Sequence, residues 1–192
     1  MGATSNSSCF DNYFTLNKVR SGRENLKIDL LKITDLLPED ISELDKLRTA
    51  ALNHYDETIV QKCKRIPIED EIKYVPARLS MQDKLIFRAF EQANLLAYAQ
   101  VFTGWPHFDE WTVEQLYIHP EYARQGLGSK LINSVENVAR TAEIKATSVL
   151  TMPSREHADS FWRAIGYDDL SANQTIQVPR KFSNLRVLRK EL

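Results

Sequence analysis

Leu116-Tyr117-Ile118-His119-Pro120-Glu121-Tyr122-Ala123-Arg124-Gln125-Gly126-Leu127-Gly128-Ser129-Lys130-Leu131-Ile132 is the stretch whose reading decides the fold. It passes from a strand ending in His119-Pro120 through a glycine-rich turn into an amphipathic helix. Leu127, Leu131, Val135, Val138 and Ala142 continue the helical stripe. Consecutive backbone N–H groups at a helix start make an anion site. Gly126 and Gly128 have no Cβ, so a phosphate can approach the backbone closely. Arg124 and Lys130 add positive charge nearby. The pattern therefore points to a phosphate-bearing ligand.

Working outward, the flanking sequence alternates strands and helices. Leu26, Ile28 and Leu30 alternate with Lys27 and Asp29, which predicts a half-buried strand. Pro38 suits a first helical turn, and Ile41, Leu44, Leu47, Ala51 and Tyr55 then recur at helical spacing. Residues 60–80, broken by Pro67 and Pro76, read as irregular with room for a short helix. Residues 85–90, 95–102 and 111–118 form a three-strand meander. Past the helix come a strand over 146–150 and a short helix with Ala158, Phe161, Trp162 and Ile165, closed by Gly166. Two more strands are expected near 175–178 and 185–189, so that the terminal Arg189-Lys190-Glu191-Leu192 is the end of a strand. The order implies a single α/β domain: a mixed, mostly antiparallel central sheet flanked by helices. Residues 1–24 read as a flexible tail and 25–192 as the domain.

Composition narrows the function classes. The 192 residues carry 25 Lys plus Arg against 26 Asp plus Glu, a formal charge of -1. That balance argues against a strongly basic nucleic-acid binder and against an acidic tail protein. Two cysteines, Cys9 and Cys63, are too few for a disulfide framework or a cysteine zinc site. No apolar run approaches a membrane span, and no signal-peptide pattern opens the chain. A cytoplasmic protein with no metal, nucleic acid or membrane partner is expected. The charge is uneven, however. Residues 34–75 hold 10 acids and 6 bases, whereas residues 124–192 hold 11 bases and 7 acids. The basic half contains the phosphate site. The acidic half weakly favours a cationic ligand.

A Walker loop does not fit the glycine spacing, and a dinucleotide fingerprint needs a glycine where Leu131 stands. The stretch instead resembles motif A of the GNAT superfamily of N-acetyltransferases, Arg/Gln-x-x-Gly-x-Gly/Ala after a strand ending in an aromatic, an aliphatic and His-Pro. Downstream, Ala158-Asp159-Ser160-Phe161-Trp162-Arg163-Ala164-Ile165-Gly166-Tyr167 is similar to the family's later helix. The resemblance spans about residues 26–192. It implies acetyl-coenzyme A as cosubstrate and a primary amine, on a small molecule or a peptide, as acceptor. It implies that amides of Arg124, Gln125, Gly126, Leu127, Gly128 and Ser129 hold the pyrophosphate. The pantetheine arm would run beside Leu116, Tyr117 and Ile118, where a backbone N–H can polarise the thioester carbonyl.

The chain departs from the family pattern at three places. Ala123 stands at the first consensus position, with Arg124 one place later. Arg155 replaces an Asn frequent before the later helix and is a candidate contact for coenzyme A. Trp162 replaces a Tyr that often protonates the leaving thiolate, and an indole is no usable acid at neutral pH. Water or Tyr167 is then the expected proton source. Glu114 is the expected general base. Simple alternation puts it on the face of Leu116 and Ile118, opposite Tyr117, where apolar surroundings would raise its pKa. Glu110 and Asp109 read as solvated turn residues, and His119 as shaping the turn. His107 and His157 read as surface residues, and His54 as the end of a helix. Trp105 and Trp111 suit either packing or an acceptor pocket. The alternative is an acyl-coenzyme A-binding regulatory module without efficient transfer, and a thinner one is a protein for another nucleotide. Either a monomer or a homodimer suits these readings.

Overall fold

Leu26 and Ile28 are buried and Lys27 is exposed in strand β1 (Leu26–Lys32), as their alternation requires. The structure is a computed structural model that describes residues 26–54, 66–151, 156–170 and 185–192. The tail expected over 1–24 and the strand expected near 175–178 lie outside the described residues. Helix α1 (Pro38–His54) starts at its proline, with Glu39 and Asp40 in the first turn. The Leu37 N–H donates to Asp40 Oδ2 at 2.9 Å, which caps that end. Its buried stripe is Leu44, Leu47, Arg48, Ala51 and Leu52. Within the region read as irregular, Pro67 precedes a short helix α2 (Ile68–Lys73) that buries Ile68 and Ile72.

The meander is strands β2 (Lys84–Glu91), β3 (Asn94–Thr103) and β4 (Glu110–Ile118). Helix α3 (Leu127–Thr141) follows the glycine turn, and strand β5 (Ala146–Thr151) runs parallel to β4. Helix α4 (Glu156–Ala164), a two-residue strand β6 (Asp168–Asp169) and strand β7 (Arg186–Glu191) complete the described chain. Strand β6 is an addition to the expected order. Strand β7 carries Arg189, Lys190 and Glu191, so the end of the sequence is strand, as expected. Among the described residues the sheet order is β1-β2-β3-β4-β5-β7-β6, with β4 and β5 its one parallel pair. Helix α3 provides the crossover that a parallel pair needs.

Two cores lie on opposite faces of this sheet. Helices α3 and α4 pack on one face, where Leu127, Leu131, Val135 and Trp162 meet Phe87, Trp111, Val113, Leu116 and Ile118. Helices α1 and α2 pack on the other, where Leu44, Leu47, Ile68 and Ile72 meet Ile86, Tyr98 and Tyr117. The pairing of β4 with β5 runs only from Glu110↔Ala146 to Val113↔Val149. Beyond it, β4 continues on β3 while β5 continues on β7. The sheet therefore splits at Val113. Below the split, Thr112 Oγ1 and Ser148 Oγ share a buried hydrogen bond of 2.6 Å that fastens the closed end.

A bulge coincides with the split. Gln100 pairs with Gln115 and Val101 with Val113, so Glu114 is the extra residue. This changes the faces. Val113 and Leu116, three apart, share the α3 face, and Tyr117 faces α1 and α2. Glu114 contacts Lys84, which is bonded to the carbonyls of Glu71 and Tyr74. Glu114 thus lies on the face of Tyr117 and not, as alternation predicts, with Leu116 and Ile118.

Candidate active site

Helix α3 begins with a left-handed Gly126 at φ 76°, preceded by Arg124 at φ 59°. Its start has no side-chain cap and no acid in the first turn. The first helical bond runs from the Lys130 N–H to the Gly126 carbonyl at 3.1 Å. The N–H groups of Leu127, Gly128 and Ser129 precede it and donate to no acceptor among the described residues. Such a start is receptive to an anion through its dipole and its free donors. A Cβ at Gly126 would meet nothing within 4 Å, so the turn opens onto free space. A Cβ at Gly128 would instead stand 2.8 Å from Ile118 Cδ1 and 3.2 Å from Phe161. The two glycines have different jobs: one leaves the turn open, the other seats the helix on β4 and α4. Arg124, Gln125 and Gly126 are exposed at the rim, and the Gln125 side chain donates to the Glu121 carbonyl at 2.7 Å.

The turn stands at the end of β4, where Gly128 faces Ile118. The β4–β5 ladder ends at Val113, so the rest of β4 runs on without β5 beside it. Among the described residues, Leu116, Tyr117 and Ile118 therefore present an open strand edge leading to the turn. Among the residues expected to hold the donor, these three and positions 124–129 are contiguous on one side of the split. Arg155 lies outside the described residues, as do Cys9 and Cys63.

On the α1/α2 side of β4 is a buried polar network. Lys84 Nζ stands 2.6 Å from Glu114 Oε2 and donates to the carbonyls of Glu71 at 3.0 Å and Tyr74 at 3.1 Å. Arg48 Nε lies 2.9 Å from Glu71 Oε2. The Gln100 amide donates to Glu71 Oε1 at 3.0 Å. The Tyr98 hydroxyl and Gln100 Oε1 are buried with no partner among the described residues. Burial pushes Lys84 down, against the pull of Glu114. Burial pushes the Glu71 carboxyl up, against the charges of Arg48 and Lys84. It also raises the Tyr98 phenol well above its usual value, and that of Tyr74, helped there by the charge of Glu114. Glu114 is therefore set in a charged, hydrogen-bonded environment and not on an apolar face. A cation at 2.6 Å favours its ionised form. Sequence reasoning missed Lys84, Glu71 and Arg48. The available signal for Arg48 was a charge inside the apolar stripe of α1.

The other residues singled out from the sequence fall elsewhere, and several expectations change. Tyr167 is 1% exposed, and its hydroxyl is bonded to Thr147 Oγ1 at 2.8 Å on the α3/α4 face. The sheet separates it from Glu114, and burial pushes its phenol far up. Glu110 is not a solvated turn residue: it is 2% exposed and paired with Arg189 at 3.2 Å. Asp109 is partly exposed and paired with Lys145. The His119 N–H donates to the Leu96 carbonyl at 2.8 Å, and its ring meets Tyr122 edge-on, so it shapes the turn. His54, His107 and His157 are exposed. Trp111 is core, and Trp105 packs edge-on against Phe102, so both are packing residues. Trp162 is core as well, between Phe161 and Tyr167. Among the described residues, no group of three or more His, Cys, Asp or Glu could hold a metal, and no helix is long and apolar enough to cross a membrane.

The profile of the Acetyltransferase (GNAT) family matches residues 50–167. No curated protein matches the chain. Among solved structures, the chain is similar to the PaiA N-acetyltransferase from Thermoplasma acidophilum in complex with coenzyme A. Identity there is 16%, over 86% of this chain and 99% of that one, with a TM-score of 0.64. An acetyltransferase from Streptococcus agalactiae gives 15% identity, 88% and 99% coverage and a TM-score of 0.63. A GNAT-family acetyltransferase from Staphylococcus aureus gives 13%, 86% and 99%, and 0.59. At such identities the likeness is one of fold.

Proposed function

The chain belongs to the GNAT acetyltransferase family, and from that premise we propose that it moves an acetyl group from acetyl-coenzyme A to a primary amine by direct attack. The observation that carries the reading is a juxtaposition. An uncapped glycine turn, an open strand edge and a bulge carboxylate meet at one split in the sheet. The residues fit the donor: free N–H groups of Leu127, Gly128 and Ser129 suit its phosphates, and Gly126 leaves room for them. Arg124 and Lys130 supplement their charge, and the edge over Leu116–Ile118 suits an extended arm pairing as a strand does. Bound acetyl-coenzyme A supplies an activated acyl group.

The acceptor reaches the split from the α1/α2 side. An ammonium must lose a proton before it attacks, and Glu114 takes it, directly or through a water. A backbone N–H of the β4 edge polarises the carbonyl. Water protonates the leaving thiolate, since Trp162 and Tyr167 are buried on the far face. The acid excess of residues 34–75 is partly neutralised, with Asp40 on Arg88 and Asp45 and Glu71 on Arg48. Glu39, Glu43, Glu69 and Asp70 stay exposed and favour a cationic acceptor, a small amine or a basic peptide. A cytoplasmic setting suits a donor made inside cells.

The test is acetyl-coenzyme A consumption across a panel of amines and peptides, run on the wild-type chain and on Glu114→Gln. Amine-stimulated consumption that falls at least about tenfold in the variant, with coenzyme A affinity kept, is expected. Tight coenzyme A binding with no stimulation by any amine would instead make the chain an acyl-coenzyme A-binding regulatory module. The buried Trp162, where the family often has a tyrosine acid, favours that second reading.

A further inference from the structure

Lys84 has no solvent exposure, yet it ends in an ammonium beside the bulge. An ammonium has three N–H donors; here two donate to the carbonyls of Glu71 and Tyr74, and Glu114 on β4 pairs with the charge at 2.6 Å. The two carbonyls belong to the end of α2 and the residue after it, where a helix leaves its acceptors unsatisfied. The Phe102 ring lies 5.0 Å from Nζ. One buried cation thus joins the bulge of β4 to the helix that covers the acceptor side.

We infer that Lys84 is a positioning residue of the transfer site, which fixes the Glu114 carboxylate at the bulge, holds it ionised and ties it to the end of α2. The inference rests on the reading of Glu114 as proton acceptor. The bulge takes Glu114 out of the regular register with β3, so side-chain contacts must set where its carboxylate points. The carboxylate is only 8% exposed, and a desolvated carboxylate without a cation favours its protonated form. Among the described residues, the other charged or titratable groups around the pair are Arg48 from α1, Glu71 from α2, Tyr74 after α2, Tyr98 from β3 and Tyr117 from β4. Arg48 is engaged by Glu71 and by the Ile66 carbonyl, and phenols carry no charge near neutral pH. Among the described residues, Lys84 is a cation in direct contact with Glu114.

The experiment compares the full wild-type chain with Lys84→Met, Glu114→Gln and the double variant. It reads kcat against pH with an amine that is turned over, and coenzyme A affinity as a control. Turnover of the wild type rises as Glu114 loses its proton. In Lys84→Met that limb moves to higher pH by about one pH unit or more, so turnover drops about tenfold below the limb and recovers above it. A merely structural role lowers turnover equally at every pH. An unmoved limb, or a uniform loss, in a chain that binds coenzyme A normally overturns the inference. Glu114→Gln with a wild-type limb removes Glu114 as base, which is a failure of the underlying reading and not of Lys84. If Lys84→Met does not fold, Lys84→Gln enters the same titration, since its amide keeps donors but no charge. If no amine is turned over, unfolding midpoints of the four chains replace the rates. The double variant should then lose less than the two single losses together, and additive losses overturn the coupling.

Discussion

A Cβ on Gly128 would stand 2.8 Å from Ile118 Cδ1, closer than real side chains come. The first turn of α3 rests directly on the end of β4, where the open strand edge meets the anion-receptive turn. Alanine at 128 gains about 1 kcal/mol of helix propensity but must push Ile118 and Phe161 aside. Valine overpacks the contact and should destabilise the chain by about 1–3 kcal/mol. Ile118→Val removes the offending Cδ1 at its own cost of about 0.5–1.5 kcal/mol. The Gly128→Ala/Ile118→Val pair should therefore be more stable than the sum of its single changes. Chemical denaturation of the four chains measures this, and strict additivity would show that the helix start adjusts freely.

Gly126 answers to a different constraint. Its φ of 76° is left-handed, but no atom lies within 4 Å of a Cβ built there. Gly126→Ala should cost about 1–2 kcal/mol of stability, the left-handed penalty alone. Its effect on coenzyme A affinity should be larger, at least about tenfold, because the methyl enters the space expected to receive phosphate. Calorimetric titration with coenzyme A, set beside thermal unfolding, separates the two. A loss of stability with unchanged affinity would move the phosphate site elsewhere.

Much of this arrangement was legible in the chain itself. Alternation at Leu26–Leu30, the meander strands and the helical stripe from Leu127 all rest on local periodicity. The glycine turn is local chemistry too. The face taken by Glu114 was not legible, because the bulge depends on which β3 residue β4 pairs with. Glu110 reads as a turn residue beside Asp109, and only Arg189, far along the chain, explains its burial. Lys84 looks like the polar residue that introduces a strand. Arg88 gave a usable hint, since a charge amid the apolar residues of β2 must have a partner. Its partners are Asp29 and Asp40.

Glu71 gives the chain a pH signature. Burial holds its carboxyl above the ordinary 4.5, with Arg48 and Lys84 pulling the other way. Between the unfolded and the folded values the native chain binds more protons than the unfolded one. Stability from this group therefore falls as pH rises through that window and is level above it. Glu71→Gln removes that slope. Its neutral amide stands in for the protonated carboxyl, so near pH ~4 the variant should be about as stable as the wild type. Toward pH ~7 the wild type should lose stability relative to the variant. Denaturation at a series of pH values measures it, and a wild type that gains on the variant as pH rises would mean that the Arg48 charge, not burial, sets the Glu71 carboxyl.

Tyr167 separates a catalytic from a structural phenol. Its hydroxyl meets Thr147 Oγ1 at 2.8 Å in the interior, while its ring packs edge-on against Trp162 and lies beneath the Lys190 ammonium. Burial raises its phenol above the usual value, so it gives up a proton less readily than free tyrosine. Tyr167→Phe keeps the ring contacts and removes the hydroxyl, which leaves Thr147 without that partner in the core. The expected cost is about 1–3 kcal/mol of stability, with kcat and its pH profile within about twofold of wild type at temperatures where both chains are folded. Pre-steady-state release of the thiol, followed against pH, is the sensitive measurement. A roughly tenfold slower release in Tyr167→Phe, with coenzyme A affinity unchanged, would return the proton-donor role to Tyr167 and require the split to open further than it does here.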